Sequence, residues 1–245
     1  MTAGGHMTAG GRETGGRPEA ASEDFSPARS HALEGSDLIA ASLLRNVTGG
    51  TYIDVGANHP VSQSNTRHFY DKGWRGLAID GNGEFEAAWR EQRPGDTFVP
   101  ALVSDKIKSV DFLIYPDRTM STIDDGSIAR YSARYPGQQI QKEVRETVTL
   151  FDLKNQYLDR REVHLLSVDV EGEDLNCLVG ARLDLWQPGV IIVETKHLSI
   201  YHVLENETVT YLTSLGYRMI AKTPLDAFFV FPAKDYLEWI PETII

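Results

Sequence analysis

The chain has 245 residues, of which 41% are hydrophobic and 24% charged; this suits one globular domain, or a domain with a short appendage. No apolar run approaches the ~20 residues of a membrane span, and a net charge of −11 excludes phosphate-backbone binding as the main activity, since that needs clustered Lys and Arg. Neither membrane nor nucleic acid is therefore expected as a partner. Cys177 is the single cysteine, and its apolar setting, DLNCLVG, predicts a packed core thiol. Without a basic-then-apolar signal pattern at the start, a cytoplasmic protein is the expectation.

Residues 1–30 are rich in Gly, Ala, Ser, Thr and Glu and hold almost no large apolar groups, so they cannot offset the entropy of ordering. They are expected to form a disordered leader, and the repeat of MTAGG at Met1 and Met7 reads as a short addition ahead of a second start. Residues 31–245 are expected to form the folded domain. Leu33, Leu38, Ile39, Leu43 and Leu44 recur at helical spacing. Strand-like runs follow at 51–55, 76–79, 97–103, 163–170 and 190–194, separated by helical stretches at 64–72, 84–92 and 174–178. The run VHLLSVDV is apolar at nearly every position, the pattern of a parallel strand covered on both faces. This alternation predicts an α/β fold with an open, mostly parallel, Rossmann-like sheet and helices on both faces.

Residues 105–162 exceed what such a sheet needs. Strand-like pieces at 110–115 and 147–150 flank a polar stretch with Tyr115, Tyr131, Tyr135 and several arginines, expected as an insertion covering a substrate pocket. A helix at 207–215 and strands at 218–222 and 227–231 close the chain.

The first chemical signal is DVGAN, Asp54 to Asn58, between an apolar strand and a helix. Gly56 allows a close backbone approach, and the following helix start offers free N–H groups to a carboxylate. A dinucleotide loop would continue G-x-G-x-x-G, whereas Asn58 and His59 stand here, so pyrophosphate binding is disfavoured. Asp54 suits a cationic amino group. Asp80 ends the second strand, where a carboxylate accepts hydrogen bonds from ribose hydroxyls or, alternatively, caps the next helix. Residues 101–105 would lie along an adenine.

The second signal is SVDVEG, which sets Asp169 and Glu171 at the end of the most apolar strand. Burying two charges there is costly unless they are paired or functional. Two apart on a strand, they share a face and can deprotonate a hydroxyl or ligate a divalent cation. Glu194 ends the next strand and joins Asp169 and Glu171 as a candidate metal set, with His197 three residues further on. The alternative is that these acids cap helices and pair with Arg67 or Arg75. His59 and His197 are placed to reach the pocket, and His164 is expected to be structural.

The blocks TYIDVGANHPVSQSNTRHFYDKGWRGLAIDGN, VTLFDLKNQYL, HLLSVDVEGEDLNCLVG and PGVIIVET resemble FkbM-type methyltransferases over about residues 50–232. The resemblance is strongest to the branch whose first loop reads GANHP-x-x-x-SNT. It implies a class I methyltransferase fold of seven strands with an antiparallel last strand, and S-adenosylmethionine as cofactor. It also implies methyl transfer to a hydroxyl of a sugar or natural product. The cofactor residues it implies are Asp54, Gly56, Asn58, Ser64, Asp80, Ser104 and Asp169, with Asn65 and Thr66 beside Ser64. His59, Ser121 and Thr122 fall on the substrate side. Gly81-Asn82-Gly83 departs from the family's usual proline or alanine near the asparagine.

In-line transfer from a sulfonium needs alignment and removal of the hydroxyl proton, for which Asp169, Glu171 and His197 are the candidates, directly or through a cation such as magnesium. Two other readings stay open: a nicotinamide-dependent oxidoreductase, and a non-catalytic binding module on the same fold. A homodimer is left open as the assembly.

Overall fold

The computed structural model describes residues 1–2, 29–117, 120–137, 139–196 and 198–241, so most of the expected leader lies outside the described residues. The elements in chain order are α1 (Ser36–Leu43), β1 (Thr51–Val55), α2 (Arg67–Asp71), β2 (Arg75–Asp80), α3 (Glu86–Gln92), β3 (Thr97–Pro100), β4 (Leu102–Val103), β5 (Ser109–Ile114) and α4 (Asp125–Arg134). They continue with β6 (Gln141–Val148), α5 (Leu150–Leu158), β7 (Leu165–Val168), α6 (Asp174–Ala181), β8 (Val190–Glu194), α7 (Glu207–Ser214), β9 (Arg218–Lys222) and β10 (Asp226–Val230).

Among the described residues the main sheet has seven strands in the order β3-β2-β1-β7-β8-β10-β9. β1, β2, β3, β7 and β8 run parallel, and β10 inserts antiparallel between β8 and β9. This is the expected α/β, Rossmann-like class I methyltransferase sheet. Successive side chains alternate between its faces. Ile53, Val55, Leu77, Ile79, Leu166 and Val168 join Cys177 and Leu178 of α6 in one core layer. Tyr52, Leu165, Ile192 and Phe228 pack with Ala40 and Leu43 of α1 and with Phe69 in the other. The Cys177 thiol is fully buried and its pKa is pushed up by burial, a core residue as expected.

From β3 the chain crosses back to place β7 beside β1, so strand order reverses between these two. At such a reversal the connections leave in opposite directions and a crevice opens at the carboxyl ends of the strands. The cavity of the candidate site lies at this reversal.

Three elements differ from expectation. The run 97–103 is two strands: it breaks at Ala101, and Leu102–Val103 leaves the main sheet to pair in parallel with β6. Instead of a short strand at 147–150, β6 ends at Val148 and Leu150 begins α5, whose start is capped by Thr149 accepting from Asp152 N at 3.1 Å. α4 forms within the polar stretch, with Asp124 capping Ser127 N at 2.6 Å. β4, β6 and β5 make a second, three-stranded sheet among the described residues.

Gly56 sits at the reversal with φ of +77°. Its amide donates to Ile79 O at 2.9 Å, while a Cβ at this position would stand 1.7 Å from the carbonyl oxygen of Asp169. The close approach that demands glycine is thus to the neighbouring strand's backbone. Gly56→Ala is expected to cost about 3 kcal/mol or more, since overpacking adds to left-handed strain. Gly73→Ala is the control: its φ is also positive, but nothing lies within 4 Å of an added Cβ, so only about 1–2 kcal/mol of strain is expected. Chemical denaturation of both variants checks this, and equal losses would refute the steric account.

Candidate active site

The first wall is built from the ends of β1 and β2. Gly56 N and Ala57 N both donate to Ile79 O, at 2.9 and 3.0 Å, which turns the loop towards β2. Asn58 adopts a left-handed conformation, φ +47°; its amide donates to Asp80 Oδ2 at 2.8 Å and its carbonyl accepts from Trp89 Nε1 at 2.7 Å. Asn82 N donates to Asp80 Oδ1 at 2.7 Å. Each Asp80 oxygen retains a lone pair beyond these bonds. Burial pushes its pKa up to about 6, against the pull of the two amides.

Asp54 and Ser64 lie behind this wall rather than on it. Thr66 Oγ1 donates to Asp54 Oδ2 at 2.5 Å, and burial raises the Asp54 pKa. Ser64 Oγ accepts from Arg67 N at 3.2 Å and from Arg93 Nη1 at 3.2 Å. Arg93, fully buried, also reaches Thr66, Tyr52 Oη at 2.7 Å and Asp96 at 2.7 Å. In this part of the first loop the cavity is faced by Gln63 and Asn65 instead, and Asn65 Nδ2 donates to Ser167 Oγ at 3.1 Å. Polar side chains opening a helix were legible in the sequence; which of them turned inward depended on the buried arginine.

The second wall forms where β7 ends. Asp169 N donates to Val55 O at 3.0 Å, and its Oδ1 is buried with no hydrogen-bond partner among the described residues. Glu171 has φ of +54°, so it reaches Asp169's side through a turn, not by the two-residue strand repeat expected for it. Its carbonyl accepts from Thr122 Oγ1 at 2.9 Å and Ser127 Oγ at 2.7 Å, which fastens the insertion to this turn. Its carboxylate accepts from Tyr131 Oη and pairs with Lys196 Nζ. Lys196 also pairs with Glu194 Oε1 at 2.7 Å. Asp169, Glu171 and Glu194 do converge, each offering an oxygen within 4.8 Å of the others.

Burial raises the Asp169 pKa well above the usual carboxylate range, helped by Glu194 and Glu171. Burial, then Glu171, brings Glu194 up to about 7. For Lys196, burial pulls downward but Glu194 and Glu171 outweigh it, so its pKa is raised. The carboxylates of Glu171 and Glu194 pair with Lys196 instead of capping a helix, while Asp174 accepts from Val170 N at 3.2 Å and Gly172 N at 3.3 Å in the turn before α6. The arginine-pairing alternative fails: Arg67 pairs with Asp71 at 2.9 Å and Arg75 donates to Trp74 O at 2.5 Å. Lys196 was missed because a lysine just past a strand end reads as an ordinary solvated residue.

Between the walls lies a cavity of about 270 Å³. Gly56, Asn58 and Asp80 face one side; Ala101, Leu102, Val103 and Phe112 form an apolar strip; Asp169, Glu171, Glu194 and Lys196 form an acidic end. Ser121 and Thr122 of the insertion, Leu33, Leu225 and Asp226 complete it. Ser104 is displaced from its expected place: fully buried, it donates to Glu173 Oε2 at 2.7 Å behind the wall. His59 is likewise outside the lining, its Nδ1 accepting from Val61 N and Ser62 N at 3.2 and 3.1 Å within its own turn. His197 lies outside the described residues. His164 is structural as expected, accepting from Thr51 N at 3.2 Å.

The model of the methyltransferase FkbM domain matches residues 54–219, which covers both walls, the insertion and β8. No curated protein matches. Among solved structures, a precorrin-6y C5,15-methyltransferase from Geobacter metallireducens is 13% identical, with a TM-score of 0.42 and 84% of this chain and 93% of that one covered. A TehB-like SAM-dependent methyltransferase from Corynebacterium glutamicum is 10% identical, with a TM-score of 0.39 and coverage of 80% and 87%. With the family model spanning the sheet reversal and both carboxylate-bearing loops, the chain belongs to the FkbM methyltransferase family and is an S-adenosylmethionine-dependent methyltransferase.

Proposed function

We propose that the protein methylates a hydroxyl of a neutral or cationic small molecule, a sugar or natural product, with Asp169 as the base. The observation that carries this reading is the buried Asp169 Oδ1 in the cavity wall, which no group among the described residues satisfies. A buried carboxylate oxygen without a partner is costly, and an acceptor hydroxyl relieves that cost by donating to it.

The residues fit S-adenosylmethionine. Asp80 has lone pairs left for ribose hydroxyls, the Ala101–Phe112 strip suits an adenine face, and Asn58, Gln63 and Asn65 offer polar groups to the methionine end. When bound, the cofactor supplies a methyl group already activated on a sulfonium. What remains for the protein is to align the acceptor oxygen and take its proton. Glu171 and Glu194 are engaged by Lys196, which leaves Asp169 for the proton. Its raised pKa makes it a stronger proton acceptor than an ordinary carboxylate. Among the described residues, the lining carries Asp80, Asp169, Glu171, Glu173, Glu194 and Asp226 against one cation, Lys196. That excess disfavours phosphorylated or carboxylate-bearing acceptors. The insertion, through Ser121 and Thr122, covers the acceptor. The acidic trio does not fit a divalent cation, because the Lys196 ammonium already bridges two of its members.

The test is an acceptor screen of neutral, amino and phosphorylated hydroxyl compounds with S-adenosylmethionine. Turnover confined to phosphorylated compounds would defeat the reading, and no turnover with tight cofactor binding would favour a non-catalytic binding module. Asp80→Asn should weaken cofactor binding by about tenfold or more in calorimetry, since a charged acceptor for the ribose is lost. Asp169→Asn should lower turnover by about 10²–10⁴-fold while cofactor affinity stays within a few fold; retained turnover would remove Asp169 as base.

The pH dependence has a definite sign. A base must be deprotonated to act, and burial raises the Asp169 pKa, so turnover should fall with decreasing pH from a point above the usual carboxylate range. Stability should run the other way. Asp80 and Asp174 at about 6 and Glu194 at about 7 bind protons more tightly folded than unfolded, so the ligand-free protein should gain stability from these groups as pH falls from 8 to 5. Thermal melts of Glu194→Gln should show a shallower slope over that window; an unchanged slope would contradict the assignment.

A further inference from the structure

We propose that Lys196 is a built-in cation: its ammonium occupies the ion position of the Asp169–Glu171–Glu194 trio and holds two of these carboxylates in place, so that the site works without a divalent metal. This rests on the reading of the acidic end as the acceptor site, but its central test does not.

The three carboxylates have the form of a metal donor set, with oxygens within 4.8 Å of one another on three different positions of the sheet edge. Hard cations are held by such oxygen groups. Here the set is met by an ammonium. Lys196 Nζ pairs with Glu171 Oε2 and, at 2.7 Å, with Glu194 Oε1, and lies 3.5 Å from Tyr131 Oη. An ammonium has three N–H donors, and these three oxygens account for all of them. The side chains concerned are sheltered: Lys196 is 18% exposed, Glu171 15% and Glu194 9%.

The lysine's reach is fixed by its backbone. Thr195 N donates to Leu225 O at 2.7 Å, which ties the residue preceding Lys196 to the turn before β10. A divalent ion entering the trio would stand beside this fixed positive charge and would have to displace it from both carboxylates. Glu171 and Glu194 are held by Lys196, whereas Asp169 has a buried carboxylate oxygen that no described group reaches. The arrangement therefore separates roles among three neighbouring acids. Two hold the lysine, and through Tyr131 of α4 the insertion as well. The third is left for the acceptor. Lys196 is a positioning residue in this account, since it acts through Glu171 and Glu194.

The experiment is Mn²⁺ titration of the full-length protein without acceptor, followed by calorimetry and by the electron paramagnetic resonance of free Mn²⁺. The wild-type protein is expected to show no stoichiometric binding at sub-millimolar Mn²⁺. Lys196→Met removes the charge but keeps most of the packing, and it should gain Mn²⁺ affinity by about tenfold or more, because three carboxylates are then left without a counter-charge. Lys196→Met combined with Glu171→Gln should lose that gain, and Lys196→Arg should show none. A merely structural lysine would give lower stability but no new metal binding. Stoichiometric Mn²⁺ binding by the wild type that Glu171→Gln abolishes would overturn the proposal, as would a folded Lys196→Met with no gain. If Lys196→Met fails to fold, the wild-type titration and Lys196→Gln decide the question. S-adenosylmethionine binding, measured on the same samples, separates a failure here from a failure of the wider functional reading.

Discussion

The contact of Gly56 with the carbonyl of Asp169 is the constraint on which the site depends. β1 and β7 are neighbours in the centre of the sheet, yet their connections leave towards opposite edges. The two loops can diverge from a common point only if the backbones touch there, and the missing side chain at Gly56 permits it. The loop after β1 and the acid-bearing turn after β7 are thereby set against each other with no intervening side chain at Gly56. Asp169 N bonding to Val55 O fixes the same junction from the other side. The distance between the Asp80 wall and the acidic end is thus decided by main-chain geometry, the least adjustable part of the structure.

Charge is then distributed to two depths. Behind the first loop, Arg93 is wholly buried and satisfied by Asp96, Tyr52, Thr66 and Ser64, and Thr66 passes the network on to Asp54. Truncating one member would strand the others, which makes such a network costly to disturb. It braces the loop without entering the cavity. In front, the acids that do line the cavity are less completely answered: Asp80 by two amides, Glu171 and Glu194 by one lysine, and Asp169 Oδ1 by no described group. Incompletely satisfied groups on a fully satisfied support are what a binding site requires, since a ligand gains only from bonds that the protein has not already made.

The sequence made the main sheet legible because buried parallel strands leave an unbroken apolar signature, as in LLSV of β7 and VIIVE of β8. Gly56, Asn58, Asp80, Asp169, Glu171 and Glu194 were found for a related reason: polar residues at the ends of such strands stand out against the apolar background. Direction of side chains was not legible. Asp54 and Ser64 have the right positions but face Thr66 and Arg93, and nothing local signals a partner contributed by the end of α3. His59 is absorbed by amides two and three residues on. α4 escaped detection because only Ser127 and Tyr131 of its residues are buried, too few for a hydrophobic period. α5 was missed although Thr149 and Asp152 spell out its cap; the strand-like run before it drew attention away. Lys196 could be interpreted only once Glu171 and Glu194 were seen to be neighbours.

The insertion then ceases to be a passive cover. Its helix α4 begins where Asp124 caps it, and the adjoining Thr122 and Ser127 hydroxyls both donate to the carbonyl of Glu171. One turn further on, Tyr131 donates to the carboxylate of the same residue. Glu171 is therefore gripped at backbone and side chain by the segment that also lends Ser121 and Thr122 to the cavity. A shift of α4 cannot occur without moving Glu171, and Glu171 cannot move without releasing Lys196 from one of its two carboxylates. Acceptor fit and the charge around Asp169 are then linked by direct contacts over a single helical turn. An acceptor that packs poorly under the insertion would loosen Glu171 and change the electrostatics of the base itself, so selectivity in the proposed reaction would appear in turnover as well as in binding.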